Sequence, residues 1–168
     1  MKIAIISDSH DNLVNINKML KYVKENRIKT IIHCGDVCSP EVLRYLAKNF
    51  KNNIYLILGN VFGTKEGYNK KIAEYKNVHI LEDGDSIKIT NLSLKIGLTH
   101  YPKMAKEMAK TKKYDVIFYG HSHKPWEERI GQTRLINPGT LAGLFYKASF
   151  AVWDTDKNKF ELKILELI

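Results

Sequence analysis

Five short polar motifs in the chain could hold divalent metal ions. Each one directly follows an apolar run that predicts a β-strand, and together they supply two Asp, one Asn and four His. Divalent cations are bound in proteins by carboxylate, amide and imidazole groups of this kind, whereas closed structural zinc sites usually contain thiolates. The candidate metal ligands are Asp8, His10, Asp36, Asn60, His100, His121 and His123.

These side chains are expected to meet in one crevice. In open α/β sheets, ligands bind beyond the carboxyl ends of the strands, so polar residues that follow successive strands come together there. A carboxylate placed between two ions can bridge them and hold them about 3.5–4 Å apart, an arrangement used on phosphoryl substrates. Seven ligands are enough for two divalent ions.

Spacing within two motifs suggests how the side chains point. In extended backbone, residues two apart face the same side. We therefore expect Asp8 and His10 to address one point, and His121 and His123 likewise. The glycines expected to let the backbone turn as three strands end are Gly35, Gly59 and Gly120.

Taken singly, each motif is weak evidence for metal. Gly-Asp and Gly-Asn are common turn sequences, and a lone His after a strand is more often structural. Five such motifs, all placed after strand-like runs, favour a metal site. The remaining histidines lack this context: we expect His33 to pack behind the site and His79 to be structural.

Helical periodicity predicts four helices. Asp11 or Asn12 is the expected cap of the first helix, and Ser39 is the expected N-cap of the second. The expected helices are 12–26, one that begins at Pro40, 68–75 and 102–111.

The second half of the chain reads mainly as hairpins. Asp83-Gly84 is a favourable hairpin turn between strands 78–81 and 86–90, and Asn91 begins the next turn. Two further hairpins are expected, 126–130 with 133–136 and 148–154 with 160–167. Because no linker or repeat interrupts the chain, we expect residues 1–168 to form one α+β domain in which sheets pack together with helices outside.

Composition sets broad limits on the class of protein. The 168 residues are 44% hydrophobic and 27% charged, with a formal net charge of +9. The apolar runs are too short to span a membrane and the start lacks a secretory signal, so we expect a cytoplasmic protein with no membrane partner. The positive charge favours phosphate-bearing partners in general. Its spread along predicted helix faces, however, is typical of a solvated surface.

The two cysteines flank the Gly-Asp turn of the second strand. Two thiols make neither a disulfide framework nor a four-thiolate zinc site. We expect Cys34 to be a small buried residue and Cys38 to be a loop thiol, with a thiol near the crevice as the alternative.

The ordered motifs resemble the calcineurin-like metallophosphoesterase family. Its pattern is Asp-x-His, Gly-Asp, Gly-Asn, a lone His and Gly-His-x-His, and the match extends from Asp8 to the Asn-Pro-Gly-Thr segment 137–140. The short chain and that segment resemble the small YfcE-like phosphodiesterase branch. The resemblance implies a four-layer αββα sandwich, with two mixed β-sheets flanked by helices.

The resemblance also implies roles for the ligands. It places the first metal on Asp8, His10 and His123, and the second metal on Asn60, His100 and His121, with the carboxylate of Asp36 bridging both. Mn, Ni, Fe, Co, Zn and Mg all stay open as the metal, because affinity order and cellular supply decide between them. The expected catalytic residues are Asp36, Asn60 and His100.

The chain departs from the family pattern just after Asn60. Many members carry a His or an acidic residue there, where this chain has Val61 and Phe62. Neither side chain can donate a proton to a leaving group. We therefore expect activated leaving groups such as nitrophenolates to be cleaved faster than alkoxides.

The leading hypothesis is a metal-dependent phosphoesterase that hydrolyses phosphodiesters, and phosphomonoesters as a second substrate class, with a bridging hydroxide activated by two metals. The alternative is a phosphoesterase fold used as a scaffold or protein-binding module, resembling the retromer subunit. Nucleic acid ranks last as a partner because no aromatic-basic platform or helix-turn-helix is evident. A homodimer stays open.

Overall fold

The computed structural model describes residues 1–62, 64–90 and 92–168, so the turn predicted at Asn91 lies outside the described residues. Eleven strands and four α-helices are assigned in this part of the chain, followed by a 3-10 turn at Leu165–Leu167. The strands are β1 Lys2–Ile6, β2 Thr30–His33, β3 Asn53–Leu56, β4 Val78–Ile80, β5 Ser86–Ile87, β6 Ile96–Leu98, β7 Val116–Phe118, β8 Trp126–Ile130, β9 Thr133–Asn137, β10 Ser149–Asp154 and β11 Lys159–Ile164. The helices are α1 Leu13–Glu25, α2 Pro40–Asn49, α3 Lys65–Ile72 and α4 Pro102–Lys110.

Two mixed sheets form the centre of the fold. The six-stranded sheet has the order β11-β10-β1-β2-β3-β4, in which β1 to β4 are parallel and β10 and β11 are antiparallel additions. The five-stranded sheet has the order β5-β6-β7-β9-β8, with β6, β7 and β9 parallel and both edge strands antiparallel. Parallel strands of both sheets therefore supply the loops in which the candidate ligands lie.

Alternation along β1 shows how the layers stack. Ala4 and Ile6 pack into the core shared with α1, α2 and α3, whereas Ile3 and Ile5 pack into the core between the two sheets. A third core lies between the five-stranded sheet and α4, where Ala105 contributes from the helix. This confirms the four-layer sandwich that the family resemblance implied.

Local signals place the helix starts close to where the sequence predicted them. The Asn12 side chain accepts a hydrogen bond from the backbone N–H of Asn15, and the Ser39 hydroxyl accepts one from the N–H of Val42. Both contacts satisfy backbone donors that the first turn of a helix leaves free. Helix α3 begins earlier than predicted because Thr64 caps it.

The hairpin predicted around Asp83-Gly84 is wrong. Strand β4 pairs with β3 in the six-stranded sheet, whereas β5 pairs with β6 in the five-stranded sheet. The Asp-Gly turn therefore carries the chain from one sheet to the other. Pairing with other strands overrides the local turn signal here, because β4 gains a partner in one sheet and β5 gains a partner in the other.

The other two predicted hairpins are confirmed. Strand β8 pairs with β9, and β10 pairs with β11, each in antiparallel register. None of the helices in the described part of the chain has the length and apolar character needed to cross a lipid bilayer.

Candidate metal centre

All seven candidate ligands lie in loops at the carboxyl ends of parallel strands. The six-stranded sheet supplies four of them, after β1, β2 and β3, and the five-stranded sheet supplies three, after β6 and β7. The first set is Asp8, His10, Asp36 and Asn60, and the second is His100, His121 and His123. The cluster therefore joins the two sheets at one edge.

One group of ligand atoms forms around Asp8. His123 Nε2 lies 3.3 Å from Asp8 Oδ1, and His10 Nε2 lies 3.3 Å from His123 Nε2. Asp8 is fully buried, and its Oδ1 has no hydrogen-bond partner among the described residues. Burial raises the pKa of Asp8, while the neighbouring His100 and His123 act in the opposite direction. A cation at this point would relieve the cost of the orphaned carboxylate oxygen.

A second group forms around His121. Its Nδ1 lies 2.9 Å from Asn60 Oδ1 and 3.3 Å from His100 Nε2. An amide oxygen and two imidazole nitrogens thus converge, and both atom types suit first-row divalent metals. His121 and Asn60 are exposed, whereas His100 is buried, so this group opens toward solvent on one side.

Asp36 lies between the two groups. Its Oδ2 is 3.4 Å from His100 Nε2 and 3.8 Å from His10 Nε2, one nitrogen from each group. Its Oδ1 accepts hydrogen bonds of 2.9 Å from the backbone N–H groups of Asn60 and Val61. One carboxylate oxygen is therefore held by the backbone while the other faces the crevice.

The environment of Asp36 keeps it ionised. Burial alone would raise the pKa of this carboxyl, but the hydrogen bond and charge of His100 and the two backbone N–H donors outweigh it and hold the pKa below its usual range. A carboxylate that is already anionic loses no proton when it binds a cation.

Hydrogen bonds on the outer nitrogens orient two of the imidazoles. His100 Nδ1–H donates to the Cys34 carbonyl at 2.7 Å, and His123 Nδ1–H donates to the Leu144 carbonyl at 3.2 Å. A carbonyl can only accept, so Nδ1 of each ring carries a proton, and Nε2 is the nitrogen of each ring that faces the crevice. Outer contacts of this kind fix the tautomer of metal-binding histidines.

His10 has a different outer neighbour. Its Nδ1 lies 3.4 Å from Cys38 Sγ, so the thiol that the sequence assigned to a loop also touches a candidate ligand. Burial raises the pKa of Cys38 to about 11, which keeps the group a thiol near neutral pH. As predicted, Cys34 is buried.

The extended backbone predicted for the His motifs is wrong. Left-handed φ angles occur at five of the seven candidate ligands, with values of 50° at Asp8, 37° at His10, 60° at Asp36, 66° at His121 and 59° at His123. Such angles cost energy in residues other than glycine and cluster at functional sites. They turn each segment sharply. Asp8 and His10 still meet in one group, as predicted, whereas His121 and His123 join different groups instead of facing one point.

Two glycines allow the backbone to approach the ligands closely. Gly59 has a φ of 86°, and a Cβ there would collide with the carboxylate and backbone N of Asp36. At Gly120, a Cβ would collide with the hydroxyl of Ser7 and approach the carboxylate of Asp8. Any side chain at either position would displace a candidate ligand.

Asp83 is a supporting residue that sequence reasoning missed. Its Oδ1 accepts a hydrogen bond of 2.6 Å from the His100 backbone N–H and one of 3.0 Å from the Thr99 hydroxyl. The Asp-Gly pair reads as an ordinary turn, so no local signal links it to a residue seventeen positions later. Asn137, in the segment 137–140, is a second supporting residue. Its Nδ2 donates 3.0 Å hydrogen bonds to the Gly120 carbonyl and the Ser122 hydroxyl.

The two remaining histidines stay outside the ligand groups, as predicted. The His33 ring accepts from the Gly35 N–H at Nδ1, which leaves Nε2–H to donate to the Ser9 hydroxyl at 2.9 Å. Burial lowers the pKa of His33 to about 3, so the ring is neutral. His79 stacks on Tyr55 in the neighbouring strand, with ring centroids 4.8 Å apart.

The residues present fit divalent metal ions. The orphaned Asp8 oxygen and the inward Nε2 atoms of three histidines all face the same space, and imidazole nitrogens gathered this closely need a shared cation or proton. Ligand atoms of Asp8, Asp36 and His100 lie within 4.8 Å of one another. The crevice can therefore bind cations and present them to an anionic ligand.

Comparison with known proteins finds a matching family and a similar protein. Residues 1–158 match the family described as the calcineurin-like phosphoesterase superfamily domain. A phosphodiesterase of Methanocaldococcus jannaschii is 32% identical over 99% of this chain and 100% of its own length.

Solved structures show the same relationship. The structure of an archaeal phosphodiesterase, 30% identical, covers 98% of this chain and 99% of its own with a TM-score of 0.88. Two more distant structures share the fold: a Vps29 from Entamoeba histolytica complexed with zinc, and the phosphoesterase YfcE from E. coli. Each is 18% identical over 98% of this chain, and they cover 99% and 100% of their own chains with TM-scores of 0.68 and 0.66.

Proposed function

The chain belongs to the calcineurin-like phosphoesterase superfamily, and from this membership and the crevice geometry we propose that it hydrolyses phosphodiesters with two divalent metal ions. The observation that carries the proposal is the position of Asp36. Its free carboxylate oxygen lies within 3.8 Å of one imidazole nitrogen from each ligand group. A single atom placed in this way is suited to bridging two ions.

The proposed ligand sets follow the two groups. Asp8, His10 and His123 would hold one ion, Asn60, His100 and His121 would hold the other, and Asp36 would be shared. The distances of 2.9–3.8 Å between ligand atoms support this division, as does the orphaned oxygen of Asp8.

The chain's own residues prepare the crevice for a phosphate ester. When bound, divalent ions of this kind act as Lewis acids and generate a nucleophile from water near neutral pH. Asp8 and Asp36 contribute only two negative charges, so a pocket loaded with two dications would keep a net positive charge and attract a phosphodiester. Asn60 turns its Oδ1 toward His121, which leaves its amide N–H groups free to donate to a phosphate oxygen.

The leaving group receives no help from the residues after Asn60. Val61 and Phe62 are 43% and 42% exposed, and the contribution of Val61 to the site is its backbone N–H to Asp36. Catalysis therefore depends on the departing oxygen being stable as an anion. This makes the leaving group part of the test of the function.

The test is hydrolysis of bis(p-nitrophenyl) phosphate by the purified chain with Mn²⁺, Ni²⁺ or Mg²⁺, with and without a chelator. We expect turnover that requires metal and that falls steeply when nitrophenolate is replaced by an alkoxide leaving group. The substitution Val61→His adds a proton donor. It should raise the rate of hydrolysis more for the substrate with an alkoxide leaving group than for the nitrophenyl substrate. A rate that is indifferent to both chelator and leaving group contradicts the proposal.

A scaffold role is the second candidate function, and one observation favours it. The side chains after Asn60 are apolar and exposed. The intact ligand cluster argues for catalysis. Metal binding without turnover on any diester would select the scaffold.

A further inference from the structure

Phe145 has the largest exposed fraction among the large hydrophobic side chains of the described residues. It is 89% exposed and lies beside the metal crevice, with its ring centroid 5.3 Å from that of His123. Apolar surface that water fully hydrates contributes nothing to folding, and such surface at the rim of a site is typical of ligand contact.

Contacts to the ligand-bearing segments hold Phe145 in place. The preceding residue, Leu144, accepts the hydrogen bond from His123 Nδ1 at 3.2 Å, and the N–H of Ala142 donates to the Asp8 carbonyl at 3.1 Å. The Asn15 amide also donates to the Ala142 carbonyl, at 3.2 Å. The residues just before Phe145 are therefore tied to the loops that carry Asp8 and His123.

The backbone of Phe145 is strained as well. Its φ of 65° lies in the left-handed region, which a bulky side chain rarely adopts. Strain of this kind persists where the surrounding structure enforces it, and it often accompanies function. Here the enforced conformation holds an aromatic ring in water next to the crevice.

A second exposed ring borders the other ligand group. Tyr101 directly follows His100, is 36% exposed, and has its ring centroid 5.2 Å from His100 and 5.4 Å from His121. The two rings thus contact different metal-ligand groups. A phosphodiester held by both groups would bring its two substituents close to these rings.

We propose that Phe145 forms a subsite for an aromatic substituent of the diester, either an aryl group or a nucleobase, with Tyr101 beside the other substituent. The inference rests on the proposed function. A phenyl ring offers no hydrogen bonds, so it selects flat, apolar faces and tolerates many of them, as aromatic platforms do when they stack bases. We call the exposed face of this ring the Phe145 subsite.

The test compares two substrates with the same leaving group. Bis(p-nitrophenyl) phosphate keeps an aryl substituent after cleavage, whereas methyl p-nitrophenyl phosphate keeps a methyl group. We expect Phe145→Ala to lower kcat/KM about tenfold for the diaryl ester and to change the methyl ester within about twofold. Phe145→Tyr should restore the preference, because it keeps the ring. Leu167→Ala is the matched control, since Leu167 is 80% exposed and lies in the C-terminal turn.

A binding measurement separates this inference from the proposed function. Calorimetry with diphenyl and dimethyl phosphate, in the presence of Mn²⁺, should show that the wild-type chain prefers the diphenyl ester and that Phe145→Ala loses this preference. If the chain binds in this way without turnover, the subsite is supported and the hydrolase proposal fails. If turnover is normal and Phe145→Ala changes kcat/KM by the same factor for both nitrophenyl esters, the subsite is overturned and the hydrolase proposal stands.

Self-association is the third outcome. A second copy of the chain covering Phe145 would appear in light scattering as a dimer that Phe145→Ala dissociates. That result would also overturn the subsite.

Discussion

Asp36 connects the two halves of the proposed centre through one carboxylate. Hydrogen bonds from two backbone N–H groups occupy Oδ1, and Oδ2 faces a histidine from each group. Because the two carboxylate oxygens have different roles, an amide could not replace this side chain. An Asn at this position would supply at most one uncharged oxygen.

We therefore predict that Asp36→Asn weakens binding of Mn²⁺ and lowers turnover, each by about a hundredfold or more, since loss of even an outer contact to a metal ligand can cost that much. Calorimetry and a diester assay would measure the two effects. Asp156→Asn is the matched control, because that carboxylate is exposed and pairs with the chain's amino terminus. An Asp36→Asn variant that binds two ions with unchanged affinity contradicts the shared-ligand assignment.

His33 gives a pH prediction of definite sign. Its pKa is lowered by burial from 6.5 to about 3 in the folded chain, so between these values the unfolded chain binds more protons. Stability from the neutral ring is fully present above pH 6.5 and is lost as the pH falls toward 3, by up to ~1.4 kcal/mol per pH unit.

Urea unfolding of the chelator-treated chain would measure this effect. The difference in free energy of unfolding between wild type and His33→Gln should shrink as the pH falls below 6.5, because Gln carries no titrating group. Other titrating residues are common to both chains and cancel in the comparison. A difference that stays constant through this pH range contradicts the assignment of His33 as a buried neutral ring.

At the scale of elements, the loop between the two sheets braces the second ligand group. Asp83 lies at the crossing from β4 to β5 and accepts the backbone N–H of His100 at 2.6 Å. The same crossing is where the predicted hairpin proved wrong. The loop that changes sheet thus sets the position of a candidate ligand.

We predict that Asp83→Ala weakens metal binding about tenfold, because the His100 loop loses its acceptor. Asp83→Asn keeps an acceptor oxygen and should stay much closer to wild type. Asp85→Ala is the control from the same turn, since Asp85 accepts the Glu82 N–H and makes no contact of this kind with His100. Equal affinities in Asp83→Ala and Asp85→Ala would contradict the bracing role.

The sequence predicted the features that depend only on residue type and local spacing. The meeting of Asp36 and His100 in one crevice was predicted because each follows a strand, and the parallel strands of both sheets end at the same edge. The left-handed backbone at Asp8 and His121 could not be predicted, because packing against distant segments enforces it. Asp83 was missed for the same reason, since its partner His100 follows a different strand, β6, and the Asp-Gly pair has a sufficient local explanation as a turn.

At the scale of the whole molecule, the proposed ions join the two sheets. Four candidate ligands come from loops of the six-stranded sheet and three from the five-stranded sheet. Ions bound across this junction stabilise the folded chain, because the unfolded chain does not assemble the site.

We predict that saturating Mn²⁺ raises the melting temperature by about 5–10 °C over the chelator-treated chain, since binding at a hundred times Kd contributes ~2.7 kcal/mol. Scanning calorimetry would measure the shift. Asp36→Asn should show a smaller one, while Asp156→Asn should match wild type. If the melting temperature is unchanged by metal, the ions do not join the sheets.

The most direct test of the central claim is a crystal soaked in manganese, with data collected for anomalous scattering. We predict two peaks in the crevice: one beside Asp8, His10 and His123, the other beside Asn60, His100 and His121, with an oxygen of Asp36 contacting both. A single peak, or two peaks with Asp36 turned away from either, would contradict the two-metal account.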